Sequence, residues 1–180
     1  MAKFIVLNLE LDSGILDKIS ANIRVIKIEN FKPCTDFYFF GFINPNKQPL
    51  LEILTNYKLI YSNLIHKFSY VSKTVKMRQG NFIGARAIIA PNVALGDFNF
   101  INRSASIGHD TKVSNFSHFD PGCTVSGRCS IGNRNYFGTG SKIIDDIKTS
   151  DDVTIGAGGV VIRSILEPGT YVGVPVEKVG

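Results

Sequence analysis

Two of the three histidines in the 180-residue chain, His109 and His118, lie nine residues apart in "SASIGHDTKVSNFSHFDPG" (104–122), each among small or polar neighbours. Histidine exchanges protons near neutral pH, so a well-placed imidazole can act as a general base. Asp110 directly follows His109 and is able to steady or polarise its ring, while Gly108 and Ser114 leave room beside it. An exposed histidine alone usually does no chemistry, and Asp110 has a second reading. Arg128 stands eighteen residues further on, where it would meet Asp110 as a purely structural ion pair. No serine or cysteine stands out beside the histidine as a nucleophile, which favours direct attack by a bound acceptor over a covalent enzyme intermediate.

The elements that must hold these groups are legible as a repeat. Every sixth residue from Val71 reads Val71, Met77, Ile83, Ile89, Leu95, Ile101, Ile107, Val113, Phe119, Val125, Ile131, Phe137, Ile143, Thr149, Ile155 and Val161, and only Thr149 is not apolar. The following residue is usually small or polar (Gly84, Gly96, Gly108, Gly132), and the fourth after it is often small or β-branched (Ala87, Val93, Thr111, Cys123). Neither a helix of period 3.6 nor an ordinary strand of period 2 produces this pattern. Six residues make one short strand and one corner, and three such units make a triangular coil that stacks on the next through parallel backbone ladders. Glycine after the aliphatic residue suits corners needing unusual dihedrals or close backbone approach. The third place of the hexad, held by His109, points out of the prism.

Residues 1–68 read differently, as a small α/β domain preceding a β-helix domain at 69–180. An alternating stretch at 4–10, a helix at 12–21, the strand "IRVIKI" (23–28), the apolar "FYFFGFI" (37–43), a helix at 48–57 and a strand at 59–65 predict a parallel sheet with crossover helices. His66, at the junction, is expected to be structural and to lie outside the regular coils.

Composition narrows the function. The net charge of +5 is compatible with a phosphorylated small molecule, but the basic residues are scattered, so a nucleic-acid partner is not expected. No apolar run is long enough for a membrane span, and Asn8, Glu10 and Asp12 interrupt "MAKFIVLNLELDSG" too early for a signal peptide, giving a cytoplasmic expectation. Cys34, Cys123 and Cys129 form neither an even disulfide set nor a C-x-x-C pair, and Cys123 and Cys129 read as small buried side chains.

The hexad pattern resembles that of the left-handed parallel β-helix acyltransferases. "NLIHKFSYVS", "IGHDTKVSNFSHFDPGCTVSGRCSIGNRNYFGTGSKI", "DDVTIGAGGVVIR" and "GTYVGVPVEK" are similar to one branch, the bacterial sugar acetyltransferases acting on UDP-4-amino sugars or sialic acid. The resemblance implies a left-handed coil, a homotrimer, and acetyl-CoA as acyl donor in the groove between neighbouring prisms. It also implies His109 as general base, Asp110 as the carboxylate that raises its basicity, and His118, Thr139 and Ala157 as residues lining the acetyl-CoA site, so that the two histidines mark the sides of one groove. The expected activity is acetyl transfer to a sugar amine, first of a nucleotide-linked amino sugar in surface-glycan synthesis. The alternatives are sugar O-acetylation or a relative that has lost catalysis.

The branch binds its sugar nucleotide through a glycine-rich turn after the first strand. "FIVLNLELDSG" lacks that cluster, and Glu29 and Asn30 in "KIEN" with Gly41 resemble the second and third substrate contacts. Near the C-terminus Pro175 is followed by Val176 and Glu177 where the family has a proline, alanine, lysine run near the CoA phosphate, with Lys178 next. A zinc carbonic anhydrase built on the same β-helix would need three histidines from adjoining faces and subunits, and no H-x4-H pair is present, so no metal is expected. Ice-binding rows of threonine are absent as well.

Overall fold

The computed structural model describes residues 4–8, 23–27 and 59–179. The chain divides into two compact units, Met1–Asp36 and Phe37–Gly180. In the first, the strands Phe4–Asn8 and Ile23–Lys27 pair in parallel, with Phe4 opposite Ile23. The helices expected at 12–21 and 48–57 lie outside the described residues, as does the apolar segment 37–43. Among the described residues, no helix is long and apolar enough to cross a membrane.

In the second unit the hexad builds a parallel β-solenoid of about six coils. From Leu64–Ile65 to Lys142–Ile143 each hexad contributes a two-residue strand, and these strands pair at a spacing of eighteen residues, as in Ile89, Ile107 and Val125. Three faces result. The first carries Leu64–Ile65, Phe82–Ile83, Phe100–Ile101, His118–Phe119, Tyr136–Phe137 and Val153–Ile155. The second carries Tyr70–Val71, Ile88–Ile89, Ser106–Ile107, Thr124–Val125, Lys142–Ile143 and Val160–Val161. The third carries Lys76–Met77, Ala94–Leu95, Lys112–Val113 and Ser130–Ile131.

The second residue of each strand is the phased apolar position, and from Ile83 to Val161 these side chains fill the prism, with Thr149 buried among them. Phe119 and Phe137 occupy successive coils and stack with ring centroids 4.8 Å apart. The small residues four places later, including Ala87, Val93, Cys123 and Cys129, are buried at the corners as expected. Where the chain turns from the third face to the first, this inward place holds Asn81, Asn99, Ser117 and Asn135. Asn81 Oδ1 accepts from the Asn99 amide and Asn99 Oδ1 from the Ser117 amide, both at 2.9 Å, so the buried amides satisfy the next coil's backbone.

The glycines directly after the aliphatic residue have only one of their two expected causes. Left-handed backbone recurs every sixth residue, but at the third place after the aliphatic residue, where Arg86, Asn92, Phe98, Ser104, Asp110 and Phe116 sit among others. Gly108, directly after Ile107, is glycine for space: a Cβ there would lie 2.4 Å from the Ser126 carbonyl carbon one coil on.

The first coil begins earlier than the sequence suggests. The His66 amide donates to the Ile83 carbonyl at 2.9 Å, so His66 belongs to the solenoid ladder. At the other end the register shortens: Ile155 pairs with Tyr171, sixteen residues on, before the antiparallel hairpin Gly169–Gly173 and Val176–Val179. Replacing Phe119 by alanine removes one ring of a fully buried stack, and should cost about 3 to 5 kcal/mol. Urea unfolding of the Phe119→Ala variant, with circular dichroism confirming the β-structure, measures that loss.

Candidate functional site

His109 and Asp110 sit on the corner between the second and third faces, after Ser106–Ile107 and before Lys112–Val113. Asp110 takes the left-handed position of that corner, φ 58°, a conformation aspartate tolerates better than most residues. The turn brings its carboxylate back to its neighbour, and His109 Nδ1 lies 2.7 Å from Asp110 Oδ2. The other oxygen, Oδ1, accepts from Asn92 Nδ2 at 3.0 Å, one coil earlier. Hydrogen bonding from His109 first, and then from Asn92, holds the Asp110 carboxyl below the usual carboxylate range. Both side chains remain about half exposed.

Arg128 does not take Asp110 as its ion-pair partner. Its Nε and Nη2 bind the two oxygens of Asp146 at 2.9 Å each, one coil further on. The competing structural account of Asp110 therefore fails, and its carboxylate is turned to the imidazole.

His118 begins the strand His118–Phe119 on the first face. Its ring stacks on Phe100 at 4.8 Å and meets Tyr136 at 5.2 Å. The residue is only 2% exposed, so in the single chain it does not line an open surface. Its Nε2 lies 3.0 Å from Asp120 Oδ1. Asp120 Oδ2 accepts the Tyr136 hydroxyl at 2.6 Å and lies 3.5 Å from Thr139 Oγ1. Thr139 is exposed on the corner between the first and second faces, and Ala157 is exposed one coil beyond it on the same corner. A Cβ on Gly138 would lie 2.7 Å from the Ala157 amide nitrogen, so the two coils approach closely there.

Two groups result. His118, Thr139 and Ala157 gather at the corner between the first and second faces, joined by Asp120 and Tyr136, which sequence reading missed. The signal was present, since Tyr136 lies one eighteen-residue coil beyond His118. His109 and Asp110 lie on the corner opposite the first face. A single chain therefore does not place the two histidines on the sides of one groove. Glu29, Asn30 and Gly41 lie outside the described residues. Lys178 Nζ is paired with Glu167 Oε2 at 3.0 Å.

Among the described residues, no thiol competes as nucleophile at either corner. Cys123 and Cys129 are buried, and burial pushes the Cys123 thiol up to about 12. Among the described residues there is no cluster of three or more histidine, cysteine or acidic side chains able to hold a metal.

No family model and no curated protein sequence matches the chain. Solved structures do. A variant of perosamine N-acetyltransferase from Caulobacter crescentus, in complex with CoA and GDP-perosamine, is 27% identical, with 81% of this chain covering 70% of that one at a TM-score of 0.78. The acetyltransferase domain of PglB from Neisseria gonorrhoeae, also solved with acetyl coenzyme A, is 26% identical over 88% of this chain and 80% of that one, with a TM-score of 0.81. WeeI from Acinetobacter baumannii, at 21% identity, 93% and 84% coverage and a TM-score of 0.83, shares the fold. The structural neighbours are thus left-handed β-helix sugar acetyltransferases, and this chain's solenoid has the same architecture.

The Asp120 carboxylate, which accepts the phenol proton, pushes Tyr136 up to about 12, with burial adding to it. A phenol that keeps its proton above its ordinary pKa of about 10 contributes stability in full below that pH, and loses it as pH rises toward 12. In an Asp120→Asn variant the Tyr136 titration should return toward its ordinary value. Tyrosinate absorbance against pH, with Tyr136→Phe to identify the transition, reads this directly.

Proposed function

We propose that the chain is an acetyl-CoA-dependent acyltransferase that transfers an acetyl group to the amine of a sugar carried on a nucleotide. The neighbours solved with CoA, acetyl coenzyme A and GDP-perosamine support the donor and the acceptor class. The observation that carries the reading is the His109–Asp110 pair. With Asp110 ionised and 2.7 Å from Nδ1, the ring proton is held at Nδ1, and Nε2 presents its lone pair at an exposed corner.

Acetyl-CoA supplies the acetyl group on a thioester. The chain's own part is proton transfer and placement. As the acceptor nitrogen bonds to the acetyl carbon and the carbon–sulfur bond breaks, its proton passes to His109 Nε2, and from there to the departing thiolate. Asp110 holds the opposite ring nitrogen throughout and stabilises the charge that the ring carries between the two transfers. The buried thiols and the lack of a nucleophile beside His109 favour this direct attack over an acyl-enzyme.

Thr139 and Ala157, exposed on one corner, fit as the lining of the donor site. His118 supports that lining from behind, through Asp120. Because the base and this lining occupy different corners, at the two edges of the second face, the reading includes a homotrimer in which the His109 corner of one prism faces the Thr139–Ala157 corner of the next.

The test is release of CoA thiol from acetyl-CoA on a panel of UDP-, GDP- and dTDP-linked amino sugars and free sugars. His109→Ala should lower turnover by about 10²- to 10⁴-fold with the solenoid intact, and Asp110→Asn by less. Release only with hydroxyl acceptors would make the enzyme an O-acetyltransferase. Near-normal turnover by His109→Ala would remove this residue from the chemistry.

A further inference from the structure

One coil beyond His109, the equivalent position is Gly127. Its glycine identity is not explained by backbone conformation, because it is absent from the residues with positive φ. Nor is it explained as at Gly108 and Gly132, where an added Cβ would meet the backbone of the following coil. At Gly127 the three nearest atoms to an added Cβ are all in the His109 ring: Nε2 at 2.7 Å, Cε1 at 2.8 Å and Cδ2 at 3.1 Å. The imidazole thus lies on the bare Cα of Gly127, with its Nε2 edge closest. That floor is fixed in turn, since the Gly127 amide donates to Asp145 Oδ1 at 2.8 Å, one coil further on.

We infer that Gly127 is a positioning residue, the floor that sets where His109 Nε2 points. Asp110 fixes the ring at Nδ1, and one hydrogen bond leaves the ring free to swing about it. The missing side chain at Gly127 lets the Nε2 edge of the ring settle against the coil, and the coil's surface then stops the swing. A methyl group at this position would enter the space of Nε2 and Cε1, so the ring must tilt away and the 2.7 Å contact to Asp110 must lengthen. The turnover consequence rests on the reading of His109 as the proton acceptor; the placement of the ring does not.

The experiment compares wild type, Gly127→Ala, His109→Ala and the double variant. Nitrogen-15 NMR of the imidazoles should show His109 in wild type with its neutral-form proton on Nδ1. Gly127→Ala should show a mixture of the two tautomers. Its melting temperature should fall in the presence of His109 and recover in the His109→Ala background, where the obstacle is gone. Turnover should drop about 100-fold in kcat, the scale of a misplaced reacting group, with KM for acetyl-CoA little changed. A wild-type tautomer pattern and wild-type kcat in Gly127→Ala would overturn the inference. So would a melting loss of equal size in both backgrounds, which would mean that the methyl meets the coil and not the ring. Should wild type turn over none of the acceptors, the functional reading fails, while the NMR and melting measurements still decide the role of Gly127.

Discussion

Parallel backbone hydrogen bonds hold each coil of the solenoid to the next in a register of eighteen residues, as Ser106 to Thr124 and Lys112 to Ser130 show. This ladder decides far more than the fold. Because every residue lies against its equivalent one coil away, side chains find their partners along columns parallel to the axis. Asn92 reaches Asp110, Arg128 reaches Asp146 and Arg134 reaches Asp152, each across eighteen positions. Asn115, Asn133 and Asp151 form another such column, each later side chain accepting the amide of the earlier one. The exposed pairs add little stability individually; their effect is to fix the direction of side chains on corners that would otherwise be free.

The inward columns carry the energetic weight. Aliphatic and aromatic residues stack coil on coil inside the prism, and a parallel sheet two residues wide per strand has no other core to rely on. Asn81, Asn99 and Asn135 are the exception that proves compatible with this, since each buried amide is consumed by a backbone group of the adjacent coil.

This explains which features were legible in the sequence. The phase of the aliphatic residues gave the coil, and with it the inward small positions, because those depend only on period. His109 and Asp110 were legible because they are adjacent, so no long-range knowledge was needed to pair them. What failed depended on choosing among equally spaced partners. Asp110 had Asn92 one coil before and Arg128 one coil after, and period alone could not say that Arg128 would be taken by the paired carboxylates Asp145 and Asp146. Asp120 and Tyr136 were missed for a similar reason, since their link runs diagonally, sixteen residues apart, and not straight down a column. The glycines after each aliphatic residue were visible, but only the stacked backbone separates a need for space from a need for unusual φ. The shortened last coil also lay beyond reach, because Ile165 and Tyr171 break the hexad phase.

The same geometry constrains how a reactive group can be carried at all. An inward position is packed and dry, while an outward strand position is flanked by its neighbours above and below. A corner residue projects, which makes it accessible but leaves its orientation weakly determined. The His109 corner resolves this with contacts from three successive coils: Asn92 fixes Asp110 from one side, Asp110 holds Nδ1 within the corner, and the space above Gly127 takes the Nε2 edge of the ring. The cost falls on Asp110, which must adopt left-handed backbone, and that is where a short carboxylate is among the better-tolerated side chains. The corner between the first and second faces works differently, since a buried imidazole, a carboxylate and a phenol beside it hold one another, and the small residues Thr139 and Ala157 are exposed there. One corner therefore presents a directed nitrogen and the other a smooth rim. In the proposed trimer each groove would take one of each.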